Sequence, residues 1–132
     1  MPQRVRTSRL TLIALVLGLA LAAAACHRAA PSNGAWRLQF TATPAAPAAD
    51  APVQLQLEVT TAAGAPLAGA RAWADLEMRD MDMGPSRVML NAAGPGRYQG
   101  TGNFLMPGGW QCRVTVSAGA RTQVALFPVM VH

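Results

Sequence analysis

The alternation at residues 53–59 constrains this chain more than any other feature. Val53, Leu55, Leu57 and Val59 alternate with Gln54, Gln56 and Glu58, a period of two that suits a half-buried strand and gives a helix no apolar stripe. The same period recurs at residues 36–40, 70–79, 97–104, 110–116 and 122–131, with a short apolar run at 88–90. Between these runs lie the residues that turn a chain. They are Pro44, Pro47 and Pro52, then Gly64, Pro66 and Gly69, then Gly84 and Pro85, then Gly94, Pro95 and Gly96, then Pro107 to Gly109, and lastly Gly119.

Seven short strands with no helical stretch after residue 26 predict an all-β fold. The expected architecture is an immunoglobulin-like antiparallel β-sandwich of about seven strands over residues 36–132. An antibody-type disulfide has no partner, because residues 53–59 hold no cysteine to face Cys112. Cys112 is in phase with Trp110, Val114 and Val116, which predicts a small buried core residue. In residues 70–79, Ala72, Ala74, Leu76 and Met78 share the inner side, which leaves Arg71, Trp73, Asp75 and Glu77 on a solvated face.

The first 35 residues have a different composition. Arg4, Arg6 and Arg9 precede an uncharged run over residues 10–25, apolar apart from Thr11, which ends at Cys26. That run is shorter than the roughly 20 residues a spanning helix needs, and it reads as a secretory signal peptide, residues 1–25. Leu21 to Cys26 resembles a lipobox, with Ala23 where a larger aliphatic residue is usual. Cleavage there leaves Cys26 as a lipidated N-terminus, followed by a tether over residues 26–35. Ordinary cleavage after the Ala23–Ala25 triplet and an uncleaved short anchor are the alternatives. All three put the domain outside the cytoplasm, on the periplasmic side of a bacterial membrane.

Charge excludes one class of partner. The chain has 11 arginines, no lysine and 6 acids, for a net charge of +5. Beyond the leader, eight arginines are scattered singly with no aromatic interleaving, whereas a nucleic-acid surface needs a clustered stripe. Catalytic groups are equally sparse. The histidines are His27 and His132, and the metalloprotease, Cys-x-x-Cys and nucleophile-elbow patterns are absent. Asp80, Asp82 and Gly84 echo the start of a calcium loop, but its twelfth position falls on Asn91 instead of a bidentate Glu. An enzyme is not expected.

Met81, Met83 and Met106 stand apart because they fall between strands, where an apolar side chain needs a reason. If the seven strands alternate in direction, residues 41–52, 80–87 and 105–109 meet at one end, and His132 arrives there too. Thioethers with an imidazole favour Cu(I) over Zn(II), Ca(II) or Mg(II). The packing alternative is that these methionines plug the open end of the fold as flexible fillers.

The order of several pieces also resembles a known family. Gly64 to Ala70, Met81 to Gly84, Gly96 to Tyr98, Met106 to Trp110 and the closing apolar strand together resemble the YtkA-like domain, across residues 53–131. The resemblance implies kinship with FixH-like and CopC-like periplasmic sandwiches, and with them copper handling or respiratory-oxidase assembly. It differs from FixH-like proteins in having Cys26 in place of a membrane helix. The histidines of a CopC-like Cu(II) site are missing. The expected function is a lipid-anchored envelope domain that binds or relays Cu(I). The rival is a metal-free interaction module that helps a membrane complex assemble with an envelope partner.

Overall fold

The computed structural model describes residues 35–132; the leader, Cys26 and nearly all of the tether lie outside the described residues. Seven strands follow one another: β1 Arg37–Thr43, β2 Pro52–Thr60, β3 Arg71–Met78, β4 Ser86–Ala92, β5 Arg97–Asn103, β6 Gly108–Ala118 and β7 Arg121–Val131. No helix occurs among the described residues. Every expected strand is present, because each carries a period-two pattern bounded by turn residues.

All the pairings are antiparallel, and the strand order is β1-β2-β5-β4-β3-β6-β7 in one continuous sheet. The separate sheets of the expected sandwich are joined here, and β4 is the joint. Its first part pairs with β3, from Leu76↔Ser86 to Ala72↔Leu90, and its last two residues pair with β5 as Asn91↔Gln99 and Ala92↔Tyr98. β4 therefore leaves one half of the molecule and enters the other.

That passage is possible because β5 has little on its inner side. The inward positions of β5 are Tyr98, Gly100 and Gly102. A Cβ at Gly100 would lie 2.5 Å from the Met89 carbonyl oxygen, and one at Gly102 would lie 3.2 Å from both Leu55 and Leu76. Glycine within a strand marks a close approach of this kind. The vacated volume is filled by Val88 and Leu90 of β4, which lie within 3.0 and 3.2 Å of the Cβ position at Gly100.

The two ends of the strand order then face each other. Phe40 of β1 stacks on Phe127 of β7 with ring centroids 5.2 Å apart. The Trp36 amide donates to Gln123 Oε1 at 2.8 Å, and Gln123 Nε2 donates back to the Trp36 carbonyl at 2.7 Å. The sheet is thus barrel-like, closed by side chains instead of a ladder between β1 and β7.

The core is aliphatic. Val53, Leu55, Leu57 and Val59 face Ala72, Ala74 and Leu76, with Cys112, Val114 and Val116 beside them, all buried. At the end where β2 leaves and β5 begins, Tyr98 clamps the β2–β3 connection. Its hydroxyl donates to the Leu67 carbonyl at 2.8 Å and accepts from the Ala70 amide at 3.1 Å. Gly96 is also fixed there: a Cβ would sit 2.7 Å from the Val59 carbonyl oxygen.

This joint predicts a ranking. Gly100→Ala drives a methyl group into a backbone oxygen that cannot rotate away, and should cost about 2–3 kcal/mol. Gly102→Ala meets flexible side-chain ends and should cost less than half as much. Urea denaturation of the two variants measures the order; equal costs would mean that β4 does not bear on Gly100.

A methionine-bearing pole as the candidate functional site

Strand directions bring four segments to one end of the molecule: residues 44–51, 79–85 and 104–107, and His132 after β7. Backbone hydrogen bonds hold them together. The His132 amide donates to Pro47 O at 2.9 Å, and the Ala49 amide to His132 O at 2.7 Å. The Asp50 amide donates to Phe104 O at 2.7 Å, and the Arg79 amide to Gly109 O at 3.0 Å.

Beneath these segments the core is already closed. Phe104 and Trp110 meet edge to face at 5.2 Å, both buried, and Pro47 is buried beside them. Trp110 also donates from Nε1 to the Met106 carbonyl at 2.9 Å, which fixes the 104–107 turn. The three methionines are left outside, with Met81 52 %, Met83 46 % and Met106 37 % exposed. Aromatic and proline side chains close the core here, and the methionines lie outside that closure, partly packed and partly open to solvent.

Met81 and Met83 lie together in an open groove of about 460 Å³ lined by residues 77–85. Its shape has a local cause. Asp82 Oδ1 accepts from the Gly84 amide at 3.1 Å, and Gly84 takes the left-handed conformation at φ 73°. This Asx-type turn places a thioether on either side of Asp82. Met78 forms part of the wall and packs against Gly108, where a Cβ would stand 2.9 Å from its Cε. Met106 and His132 belong to the same pole but do not line this groove. Two of the four predicted ligands share a groove, and two lie on neighbouring segments.

Carboxylates rim the groove. Glu77, Asp80 and Asp82 accompany the single cation Arg79, which biases the site toward cations. Glu77 is partly engaged elsewhere, accepting from Arg113 Nε at 3.2 Å. Among the described residues, no three His, Cys, Asp or Glu side chains group so as to hold a metal ion. Sulfur is therefore the donor that the pole concentrates, and a soft ion is the one that donor suits.

The outer face of β3 departs from expectation. Asp75 is buried instead of solvated. Arg87 on β4 reaches it with two bonds, Nε to Oδ1 at 2.8 Å and Nη2 to Oδ2 at 3.0 Å, and lies 5.3 Å from the Trp73 ring centroid. The hydrogen bond to Asp75 raises the Arg87 pKa above its ordinary value. Period two identified the face; the guanidinium lid over the carboxylate comes from the β3–β4 register, which sets Asp75 opposite Arg87.

Cys112 is buried as expected, and burial pushes its thiol up to about 12. A neutral, enclosed thiol is no metal ligand in waiting.

These features define a small all-β domain with a closed core and an exposed thioether groove at one pole. The chain belongs to the YtkA-like family, whose model matches residues 32–115. No curated protein matches the chain. The family match begins earlier than the resemblance over residues 53–131 and takes in β1, while β7 and His132 lie beyond it.

Cys112 carries a pH prediction. Its pKa rises from 9.0 in the unfolded chain to about 12 in the fold, so between those values only the unfolded state loses the proton. Its contribution is full below pH 9 and disappears as pH rises toward 12, with a slope of up to about 1.4 kcal/mol per pH unit. Cys112→Ala should lack that slope, at a cost of about 1 kcal/mol at neutral pH. Parallel urea titrations from pH 8 to 11 measure the difference, and identical slopes would contradict it.

Proposed function

We propose that this chain is an exported, lipid-anchored domain of the bacterial envelope that binds or relays Cu(I) and catalyses no reaction. The observation that carries this reading is the exposure of Met81 and Met83 in one groove while Phe104, Trp110 and Pro47 close the core. Thioethers open to solvent on one turn are available as donors, and a soft monovalent ion is the metal they suit. Met81 and Met83 are the primary donors, and Met106 and His132 are available from the adjoining segments. Lipid on Cys26 would hold the domain on the periplasmic side of the membrane.

We read the fold as a variant of the immunoglobulin-like architecture. The order β1-β2-β5-β4-β3-β6-β7 supports this, since it follows the strand order of the two sheets of that architecture, with β4 bridging them into one sheet. Kinship with FixH-like and CopC-like domains, and a place in copper handling or oxidase assembly, are part of the same proposal and rest on the YtkA-like resemblance.

Competition with a Cu(I) chelator under reducing conditions tests the proposal. The wild-type chain should retain one Cu(I). Replacing Met81 and Met83 together by Leu keeps volume and apolarity, at less than about 1.5 kcal/mol of stability, and should weaken binding at least about tenfold. Met106→Leu and His132→Ala, made separately, show whether the neighbouring segments contribute. If the wild-type chain retains no Cu(I), the metal-free interaction module is the better account; equal retention by wild type and the Met81/Met83 double variant takes these two residues out of the site.

A further inference from the structure

We infer that the outer row of β7 rests against the lipid surface of the membrane that holds the chain. Five residues of β7 point outward: Thr122, Val124, Leu126, Pro128 and Met130. All are exposed, and four of the five are apolar, with Val124, Leu126 and Met130 each about half exposed. Nothing in the core requires them, since the inward residues Phe127, Val129 and Val131 supply the packing. The row opposite on β6 is different: Gln111, Arg113, Thr115 and Ser117 face Pro128, Leu126, Val124 and Thr122. The apolar row is therefore a narrow strip confined to the last strand of the sheet order.

Two facts choose the occupant. The first is where the chain enters the domain. Trp36 is held on the first turns of β7 by its reciprocal bonds to Gln123, and Arg121 lies 5.2 Å from its ring centroid. Nine residues lie between Cys26 and Trp36, a reach of at most about 35 Å when fully extended. The row from Val124 to Met130 is itself roughly 20 Å long at strand rise. A chain anchored at Cys26 thus lets β7 reach the bilayer, and such tethering makes a weak apolar contact effective. The second is charge. Arg37 and Arg121 are both exposed beside that point, as an anionic headgroup layer would require. The apolar row adds a second contact to the lipid on Cys26, and two membrane contacts together hold a domain more firmly than one. In this arrangement the row runs along the surface, and its far end, Met130, stands beside Gly109 at the methionine pole.

This inference rests on the membrane-attached reading, and the experiment separates the two. The full chain, extracted from membranes, is placed in phosphatidylethanolamine–phosphatidylglycerol vesicles with an environment-sensitive probe at Leu126→Cys or, as the control on β5, at Gln99→Cys. Cys112 is buried and Cys26 carries the lipid, so neither takes the probe. Flotation of the vesicles reports attachment. Lipids spin-labelled high on the acyl chain report depth. The expected result is flotation of both variants, with quenching at position 126 at least threefold stronger than at position 99. Flotation with equal quenching at both positions overturns the inference and leaves attachment standing. A probe at position 126 that is shielded from aqueous iodide but untouched by the spin-labelled lipids overturns it in favour of a second copy of this chain. Failure to float overturns attachment and the inference together.

Discussion

The close approach of β4 to β5 is the constraint on which the rest of the molecule depends. Two glycines, Gly100 and Gly102, strip the inner side of β5 where Val88, Met89 and Leu90 pass over it. Glycine in a strand gives up side-chain contacts and loses more conformational freedom on folding than any other residue. Here that loss is offset by the aliphatic side chains of β4 that occupy the space. The consequence is topological. Without the crossing, β1-β2-β5 and β3-β6-β7 would be two sheets joined only through their cores; with it, they share hydrogen bonds along one continuous path. The connections that build the methionine pole come from both halves, so their relative placement is inherited from this joint.

The pole shows a division of labour between closing the core and facing the solvent. Aromatic rings bury large areas with few rotatable bonds, and Phe104 with Trp110 does so under the 104–107 turn. Methionine is flexible and polarisable, and it would have filled the same space tolerably. Its placement outside, on an Asx-type turn between carboxylates, is what gives the groove a chemical character. Thioethers carry no charge, so gathering them involves no repulsion and no proton release. The acidic rim supplies the attraction for a cation that the sulfur atoms themselves lack.

Much of the fold was legible because strand periodicity is local. All seven strands and the inward facing of Cys112, Val114 and Val116 follow from alternation. The convergence of residues 79–85, 104–107 and His132 follows from counting strand directions. Other features depend on register between distant residues. That β4 would change partners at Leu90 cannot be seen in its own seven residues, although the glycines spaced by two in β5 were a signal that went unread. The face of Asp75 follows from alternation but its burial does not, because its cover is Arg87, twelve residues away, lying over Trp73. The apolar outer row of β7 was equally visible as alternating residues, but which of its two apolar sides faces inward is decided by packing against Phe40. That Met81 and Met83 share a segment is plain from the sequence, but the groove that holds them without Met106 and His132 is not, since it depends on the turn made by Asp82 and Gly84.

The central claim is that sulfur atoms of the pole hold Cu(I), and copper K-edge X-ray absorption of the loaded chain tests it most directly. The account predicts a Cu(I) edge with a first shell containing sulfur scatterers. That sulfur contribution should fall when Met81 and Met83 are both replaced by leucine, while Cys112, buried and protonated, contributes nothing. A first shell made only of nitrogen and oxygen, or a sulfur shell unchanged in the double variant, would contradict it.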